Sequence, residues 1–132
     1  MPQITNLFLA FVALIHIILC VVEIFFWKEP AIHQRLGYSL EEAIKVAPIV
    51  ANAGLYNGFI AVGLIWGLIS SKTGDAIKVF FLTCVIIAGI FGAATLTGTP
   101  LLIQTAPGAI ALLLLWISKS QAKKHLGTQG NL

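Results

Sequence analysis

The sequence contains few charged residues. Only 10% of its 132 residues are charged, whereas 58% are hydrophobic, and the mean hydropathy is +0.96. Soluble domains carry about 25% charged residues, so this composition excludes that class. The longest polar connection, Lys28 to Val46, is too short to fold around a core of its own. The sequence therefore indicates an integral membrane protein whose function lies within the membrane-spanning part.

Cysteines are also scarce, and several common motifs are missing. Cys20 and Cys84 lie in different apolar stretches without a CxxC pair, which excludes a disulfide framework. No Lys or Arg precedes the first apolar stretch and no small-residue cleavage site follows it, so we expect no cleaved signal peptide. The glycines accompany no nucleotide-binding motif. The net charge of +3 follows from the loops and indicates no nucleic-acid partner.

Four apolar stretches are each long enough to cross a bilayer, which requires about 17 to 25 residues. They predict helices at about residues 4–27, 47–69, 77–97 and 101–117 of one transmembrane domain, 1–132. Ser39 and Glu42 have capping-box spacing, which predicts a short interfacial helix at about 40–46. Pro48 then kinks that helix or opens the second span. The predicted fold is all-α, an integral membrane four-helix transmembrane bundle.

The charges of the connections predict the orientation. Five lysines lie on the side of the termini: Lys72, Lys78, Lys119, Lys123 and Lys124. The other side has three basic residues that share their loop with three glutamates. Basic residues favour the cytoplasmic side, so we predict a multi-pass protein of the bacterial cytoplasmic membrane with both termini in the cytoplasm.

Polar residues inside the spans are the candidate functional residues. Ionisable groups at the bilayer centre cost at least about 2.5 to 3.5 kcal/mol each and usually face a protein interior. At about 1.5 Å per residue, His16 lies near the midplane, and Glu23 lies about 10 Å further out on the same face. The depths of the other residues agree with one polar pocket that opens outward, formed by His16, Glu23, Asn52, Tyr56, Asn57 and Gln104.

The second helix contributes three of these residues. The count of depths places Asn52 level with Glu23, and Tyr56 and Asn57 near His16. Asn52 and Tyr56 share a helix face, whereas Asn57 lies about 100° further round from Tyr56. Asn57 therefore either binds a ligand or forms an interhelical hydrogen bond. In the fourth helix, Pro107 frees a backbone carbonyl close to Gln104, which favours a polar ligand site there.

Small residues recur at a spacing that lets helices approach closely. The pairs are Gly54 with Gly58, Gly63 with Gly67, Gly89 with Ala93, and Gly108 with Ala111. Such faces pack helices in lipid, either within one chain or between copies in a homo-oligomer.

No cofactor is evident from the sequence. His16 and Glu23 are good metal ligands, but they lie seven residues apart rather than the four of metalloprotease helices, so we predict no metal site. Haem is disfavoured because paired histidines are missing. Proton exchange suits these residues better, because imidazole titrates near neutrality and a carboxyl among apolar neighbours can take up a proton.

Four segments carry a resemblance to a known family. These are the helix with His16 and Glu23 that ends in Trp27, and the stretches NAGLYNGFIAVGL, AGIFGAATL and LLIQTAPGAIALL. Together they resemble a family of small bacterial four-span membrane proteins catalogued as a domain of unknown function, from Leu7 to Leu115. The resemblance implies that the six candidate residues are signature positions. Family members often have glutamine where Ala53 stands here, so this chain lacks that amide.

Three classes of function stay open at this stage. In the first, the polar pocket binds a small polar or lipid-like ligand, an ion or a proton, as in a binding or transport protein. In the second, His16 and Glu23 act as an acid–base pair of a membrane enzyme on a lipid-soluble substrate. In the third, the polar residues of a structural membrane subunit fix the helix register. The absence of a nucleophile constellation disfavours the enzyme, and the absence of an inverted repeat disfavours a solitary transporter.

Overall fold

The structure, a computed structural model, describes residues 2–96 and 98–129, with side chains as far as Lys123. The side chain of Lys124, which contributes to the predicted orientation, lies outside the described residues. Helices account for nearly all of the described chain, and no strand occurs within it. The elements in chain order are α1 (Pro2–Val21), a π-helical turn (Val22–Phe26), α2 (Pro30–His33), a 3₁₀ turn (Gln34–Leu36), α3 (Leu40–Ile69), α4 (Gly74–Thr95), a second π-helical turn (Leu101–Thr105) and α5 (Ala106–Gln129).

Four helical stretches are long and apolar enough to cross a membrane. They are Pro2–Phe26, Leu40–Ile69, Gly74–Thr95 and Leu101–Lys123. This confirms the predicted all-α four-helix transmembrane bundle. Consecutive long helices run in opposite directions, so the bundle has two ends. The terminal end holds the start of α1, residues 70–73 and the last turns of α5, and the loop end holds residues 27–39 and the connection from α4 to α5.

The predicted interfacial helix and second span form one helix in the structure. α3 begins at Leu40 and continues through Pro48 to Ile69. Proline removes only one backbone donor, and the long apolar stretch that follows keeps the helix intact beyond it. The predicted capping box is confirmed, because Ser39 Oγ accepts a hydrogen bond from the backbone N–H of Glu42 at 3.3 Å while the Glu42 carboxylate accepts one from the Ser39 N–H at 2.8 Å.

The long helices pack in a ring. α1 contacts α3 and α5, and α4 contacts α3 and α5. Seven buried apolar residues form the core: Leu9, Val12 and Ala13 of α1, Leu64 of α3, Leu82 and Val85 of α4, and Ala111 of α5. Their positions along the antiparallel helices place this core toward the terminal end.

Glycines lie where the helices approach most closely. A Cβ atom at Gly63 would collide with the ring of Phe81, and one at Gly108 would lie 2.9 Å from Val85 Cγ1. Gly54 and Gly58 face α1 in the same way. The predicted small-residue faces therefore pack helices within one chain, and the homo-oligomer stays a prediction.

Candidate functional site

The contact between α1 and α3 sets the position of Glu23. A Cβ atom at Gly54 would lie 2.9 Å from Glu23 Cβ, 3.0 Å from Ile24 Cγ1 and 3.2 Å from the Cys20 carbonyl oxygen. Only glycine allows the two backbones to lie this close. Gly54 therefore holds the Glu23 backbone directly against α3.

Glu23 forms a hydrogen bond with Asn57 of α3. Asn57 Nδ2 donates to Glu23 Oε2 at 2.8 Å, and both side chains are half-buried. Within the described part of the chain, Glu23 has no cationic partner and no other hydrogen bond. The carboxylate is thus held in place by a neutral amide, and its second oxygen, Oε1, is left to accept from another group.

The direction of helical side chains explains why Glu23 pairs with Asn57 rather than with Asn52. Gly54 is level with Glu23, so Asn57 lies about 4.5 Å closer to the terminal end than Glu23. Side chains tilt toward the start of their helix, which for α1 is the terminal end. The Glu23 carboxylate consequently reaches down to Asn57, and Asn52 lies above it.

The structure does not bring Asn52 and Tyr56 to the Glu23 carboxylate. Each lies two positions from Gly54, about 200° round the helix, and so occupies the opposite face of α3. Both are exposed on the outside of the bundle, and the Tyr56 ring makes an edge contact with Phe59 at a centroid distance of 5.8 Å. Asn52 and Tyr56 share one face of α3, as their spacing predicts, but that face points away from α1.

His16 is buried inside the bundle, with 2% of its surface exposed. Its Nδ1 lies 2.9 Å from the carbonyl oxygen of Val12. A carbonyl can only accept, so Nδ1 donates this hydrogen bond, and in the neutral form of the ring Nε2 is the nitrogen that can accept a proton. Continuing the register of Glu23 and Gly54 by two turns places the buried Ala61 level with His16. A small neighbour there leaves room for the imidazole.

Gln104 lies in the second π-helical turn, Leu101–Thr105, and is half-buried. The backbone N–H of Ala106 donates to the Leu101 carbonyl, which is the hydrogen-bond spacing of a π-helix. Pro107 has no N–H to donate to the carbonyl of Ile103, so the regular α-helical pattern cannot continue here. This turn packs on α4, where a Cβ atom at Gly89 would lie 3.1 Å from Gln104 Cβ, and it also contacts α1.

Both π-helical turns lie in the loop-end half of the bundle. One contains Glu23 and the other contains Gln104. π-helical turns are rare and often occur at functional sites, because the extra residue redirects neighbouring side chains. Of the six predicted site residues, the structure joins Glu23 and Asn57 directly and places Gln104 in the same half. His16 lies two turns deeper than Glu23.

Sequence reasoning missed a charged cluster at the terminal end. Lys78 is buried, with its Nζ 3.6 Å from Asp75 Oδ1 and 3.4 Å from Asn6 Oδ1, while Lys119 Nζ lies 3.5 Å from Asp75 Oδ2. The sequence interpretation treated Lys78 only as a loop charge. The sequence feature that indicates the cluster is Asn6, a polar residue of the first span at the same depth as Lys78.

The potential metal ligands lie apart from one another in the described part of the chain. Across residues 2–96 and 98–123, no three His, Cys, Asp or Glu side chains lie close enough together to hold one ion. His33, near the loop end, bonds through Nδ1 to the Tyr38 carbonyl oxygen at 2.7 Å. The side chain of His125 lies outside the described residues.

Comparison with known proteins identifies a family and no function. A family model described as "Protein of unknown function (DUF1304)" matches residues 10–116. No curated protein and no solved structure matches the chain. The matched range contains all six predicted site residues as well as Lys78 and Asp75.

Proposed function

The chain belongs to the DUF1304 family, whose function is unknown, and we propose that it binds a proton or a small cation at the Glu23 carboxylate. The observation that carries this proposal is the hydrogen bond from Asn57 Nδ2 to Glu23 Oε2 at 2.8 Å, without a cationic partner among the described side chains. A carboxylate in a membrane-spanning helix is costly unless its charge is balanced. A proton or a cation supplies that balance.

The geometry of the pair suits an exchangeable cation. Asn57 fixes one carboxylate oxygen, and an ionised carboxylate has further acceptor positions on both oxygens. Hard cations prefer oxygen ligands, and the Glu23 carboxylate provides two oxygens. The close contact at Gly54 keeps the Glu23 backbone fixed, so the site is preorganised.

His16 extends the proposal toward proton movement. It lies two turns deeper on α1, and its basic Nε2 can accept a proton because Nδ1 is committed to the Val12 carbonyl. About 10 Å of helix separates the two residues, which is too far for direct transfer and requires intervening water. We infer that a transport role, if the protein has one, moves protons through these two groups.

The test is infrared difference spectroscopy on the protein reconstituted in lipid, with pH steps and with added NaCl or KCl. Glu23→Gln should remove one carboxyl band, since Glu23 is the only acidic residue in the apolar part of the spans. Glu41→Gln, which changes an exposed glutamate at the start of α3, is the matched control and should keep that band. If Glu23→Gln leaves every pH- and cation-dependent band unchanged, the proposal is wrong.

The tautomer of His16 favours a second candidate, acid–base catalysis on a lipid-soluble substrate. In that case Nε2 serves as the base and the protonated Glu23 carboxyl as the acid. His16→Gln would then abolish turnover of a membrane-soluble substrate while leaving the Glu23 infrared band in place. Loss of that band in His16→Gln instead indicates that the two residues share a proton path.

We also propose that the loop end faces the outside of the cytoplasmic membrane, as the loop charges predict. Single cysteines replacing Gln34 or Ser71 in a chain without Cys20 and Cys84 test this in intact cells. An impermeant thiol reagent should label the cysteine at position 34 and spare the one at position 71. The reverse labelling pattern overturns the orientation.

A further inference from the structure

A groove of about 830 Å³ runs along the outside of the bundle between α4 and α5. Its walls are mostly apolar, and its polar groups are gathered at the terminal end. The apolar wall includes Val79, Ile86, Ala109, Leu112, Leu113 and Trp116. The polar end consists of Lys119, Ser120 and Lys123.

The length of the groove matches one leaflet of a bilayer. From Ala109 to Lys123 the groove follows α5 for about 21 Å. Half of a hydrocarbon core of about 30 Å, together with one headgroup layer, gives about 20 to 22 Å. Trp116 is the last residue of the apolar wall before the lysines of α5, at the level where tryptophans mark the membrane boundary.

The charge at the polar end is positive. Lys119 and Lys123 line the groove. Asp75 is the single carboxylate in this cluster, and it bridges Lys78 and Lys119 at 3.6 and 3.5 Å. Lys119 shares Asp75 with the buried Lys78, and Lys123 has no carboxylate partner among the described residues, which leaves a cationic end that complements a phosphate group. Basic pockets between membrane helices bind anionic lipid headgroups.

We propose that this groove binds an anionic phospholipid from the leaflet next to the chain termini. An acyl chain lies along the apolar wall, and the phosphate contacts Lys119 and Lys123, with the Ser120 hydroxyl as a further donor. The site is independent of Glu23, which lies in the other half of the bundle in the first π-helical turn.

Native mass spectrometry of the protein released from nanodiscs tests the proposal. The nanodiscs contain equal amounts of phosphatidylglycerol and phosphatidylcholine, and the ratio of the two lipids that stay bound is measured. The wild-type chain should retain phosphatidylglycerol at least about fivefold over phosphatidylcholine, which is the preference expected from one well-placed lysine. Lys119→Gln with Lys123→Gln should bring the ratio close to one. Lys28→Gln with Lys45→Gln, which removes two lysines near the loop end, should leave the ratio unchanged.

A second pair of variants tests the acyl-chain part of the groove. Ala109→Phe places a ring in the apolar wall and should reduce the retention of both lipids, whereas Ala53→Phe, on an exposed face of α3, should not. The proposal is overturned if the wild-type chain shows no preference for phosphatidylglycerol or if the double lysine variant keeps that preference. Release of a lipid-free dimer that Ala109→Phe disrupts also overturns it, because a second copy then occupies the groove.

Discussion

Lys78 at one end of the bundle and Glu23 toward the other are both shielded from water, and their surroundings differ. At the terminal end, Lys78 lies against the carboxylate of Asp75 and the amide of Asn6. At the loop end, Glu23 is bound only by the neutral amide of Asn57 among the described residues. The first charge is balanced within the protein and the second is not. This difference is the reason why ion exchange is proposed for Glu23 and not for Lys78.

The two ends of the bundle also differ in the regularity of the backbone. Toward the terminal end, α3 and α4 are regular helices in close contact, with the Gly74 backbone oxygen 3.3 Å from a Cβ atom placed at Gly67. Toward the loop end, two π-helical turns interrupt the regular pattern. The buried apolar core also lies toward the terminal end. The terminal half therefore contains the apolar core, and the loop half combines close helix contacts with the irregular geometry typical of sites.

Gly54→Leu should give the largest effect, because it separates α1 from α3 beside Glu23. Overpacking costs about 1 to 3 kcal/mol, and loss of the Asn57 hydrogen bond adds about 1 kcal/mol. We expect a loss of about 3 kcal/mol in the free energy of unfolding, measured by SDS titration in mixed micelles, together with a changed Glu23 infrared band.

Ala53→Leu adds a larger side chain at the next position, on an exposed face, and should change neither quantity. Gly67→Leu overpacks the terminal half against Lys78 and should lower stability without changing the Glu23 band. If Gly54→Leu and Gly67→Leu alter the Glu23 band equally, packing in the terminal half also affects Glu23, and the comparison of the two halves fails.

Asp75→Asn should have the second largest effect, because it leaves the buried ammonium of Lys78 without its carboxylate. The Lys78 side chain is only 10% exposed, so water cannot replace the lost partner fully. An unpaired buried polar group costs about 1 to 3 kcal/mol, and we expect about 2 kcal/mol in the same unfolding measurement. Combining Asp75→Asn with Lys78→Met should recover most of that loss. A double variant that is less stable than Asp75→Asn would show that the lysine stem matters more than its charge.

The sequence was sufficient to predict the fold and its small-residue contacts. Long apolar stretches have few alternatives in a membrane, since every backbone group must be bonded within a helix. The spacing of Ser39 and Glu42 identified the start of α3, because these two side chains can bond the free backbone N–H groups of a helix start. The continuous helix through Pro48 was less predictable, because one missing backbone bond can either break a helix or be tolerated within it.

The membership of the site was predictable only in part. The depth count placed Asn52 level with Glu23, two residues from the register that Gly54 gives, but depth alone does not show which face of α3 meets α1. Gly54 indicates which face of α3 packs on α1, because the face with the smallest residue approaches its neighbour most closely. Asn52 and Tyr56 lie on the opposite face and are therefore outside that contact. The π-helical turn at Glu23 had no such signal, since no proline lies within Val22–Phe26.

Asn57→Ala and Asn52→Ala compare the two faces of α3 directly. Asn57→Ala removes the donor to Glu23 and should cost about 1 kcal/mol, within the range of about 0.6 to 1.7 kcal/mol for hydrogen bonds between membrane helices. Asn52 is exposed on the other face, so Asn52→Ala should change the unfolding free energy by less than about 0.5 kcal/mol. Only Asn57→Ala should shift the Glu23 band. A larger loss from Asn52→Ala would mean that Asn52 contacts a second copy of the chain.

Ser39→Ala should have the smallest effect, because it acts at one exposed helix end. Loss of an N-cap costs about 0.5 to 2 kcal/mol, and we expect the lower value, since the indole N–H of Trp27 donates to the Ala43 carbonyl at 2.9 Å and keeps that turn in place. Hydrogen exchange should therefore increase in residues 40–42 and stop at Ala43, with both the Glu23 band and the stability of the terminal end unchanged. In Ser39→Ala with Trp27→Phe the faster exchange should extend beyond Ala43. If Ser39→Ala alone alters the Glu23 band, the start of α3 affects the Glu23 carboxylate. The contact at Gly54 is then not sufficient to fix the position of Glu23.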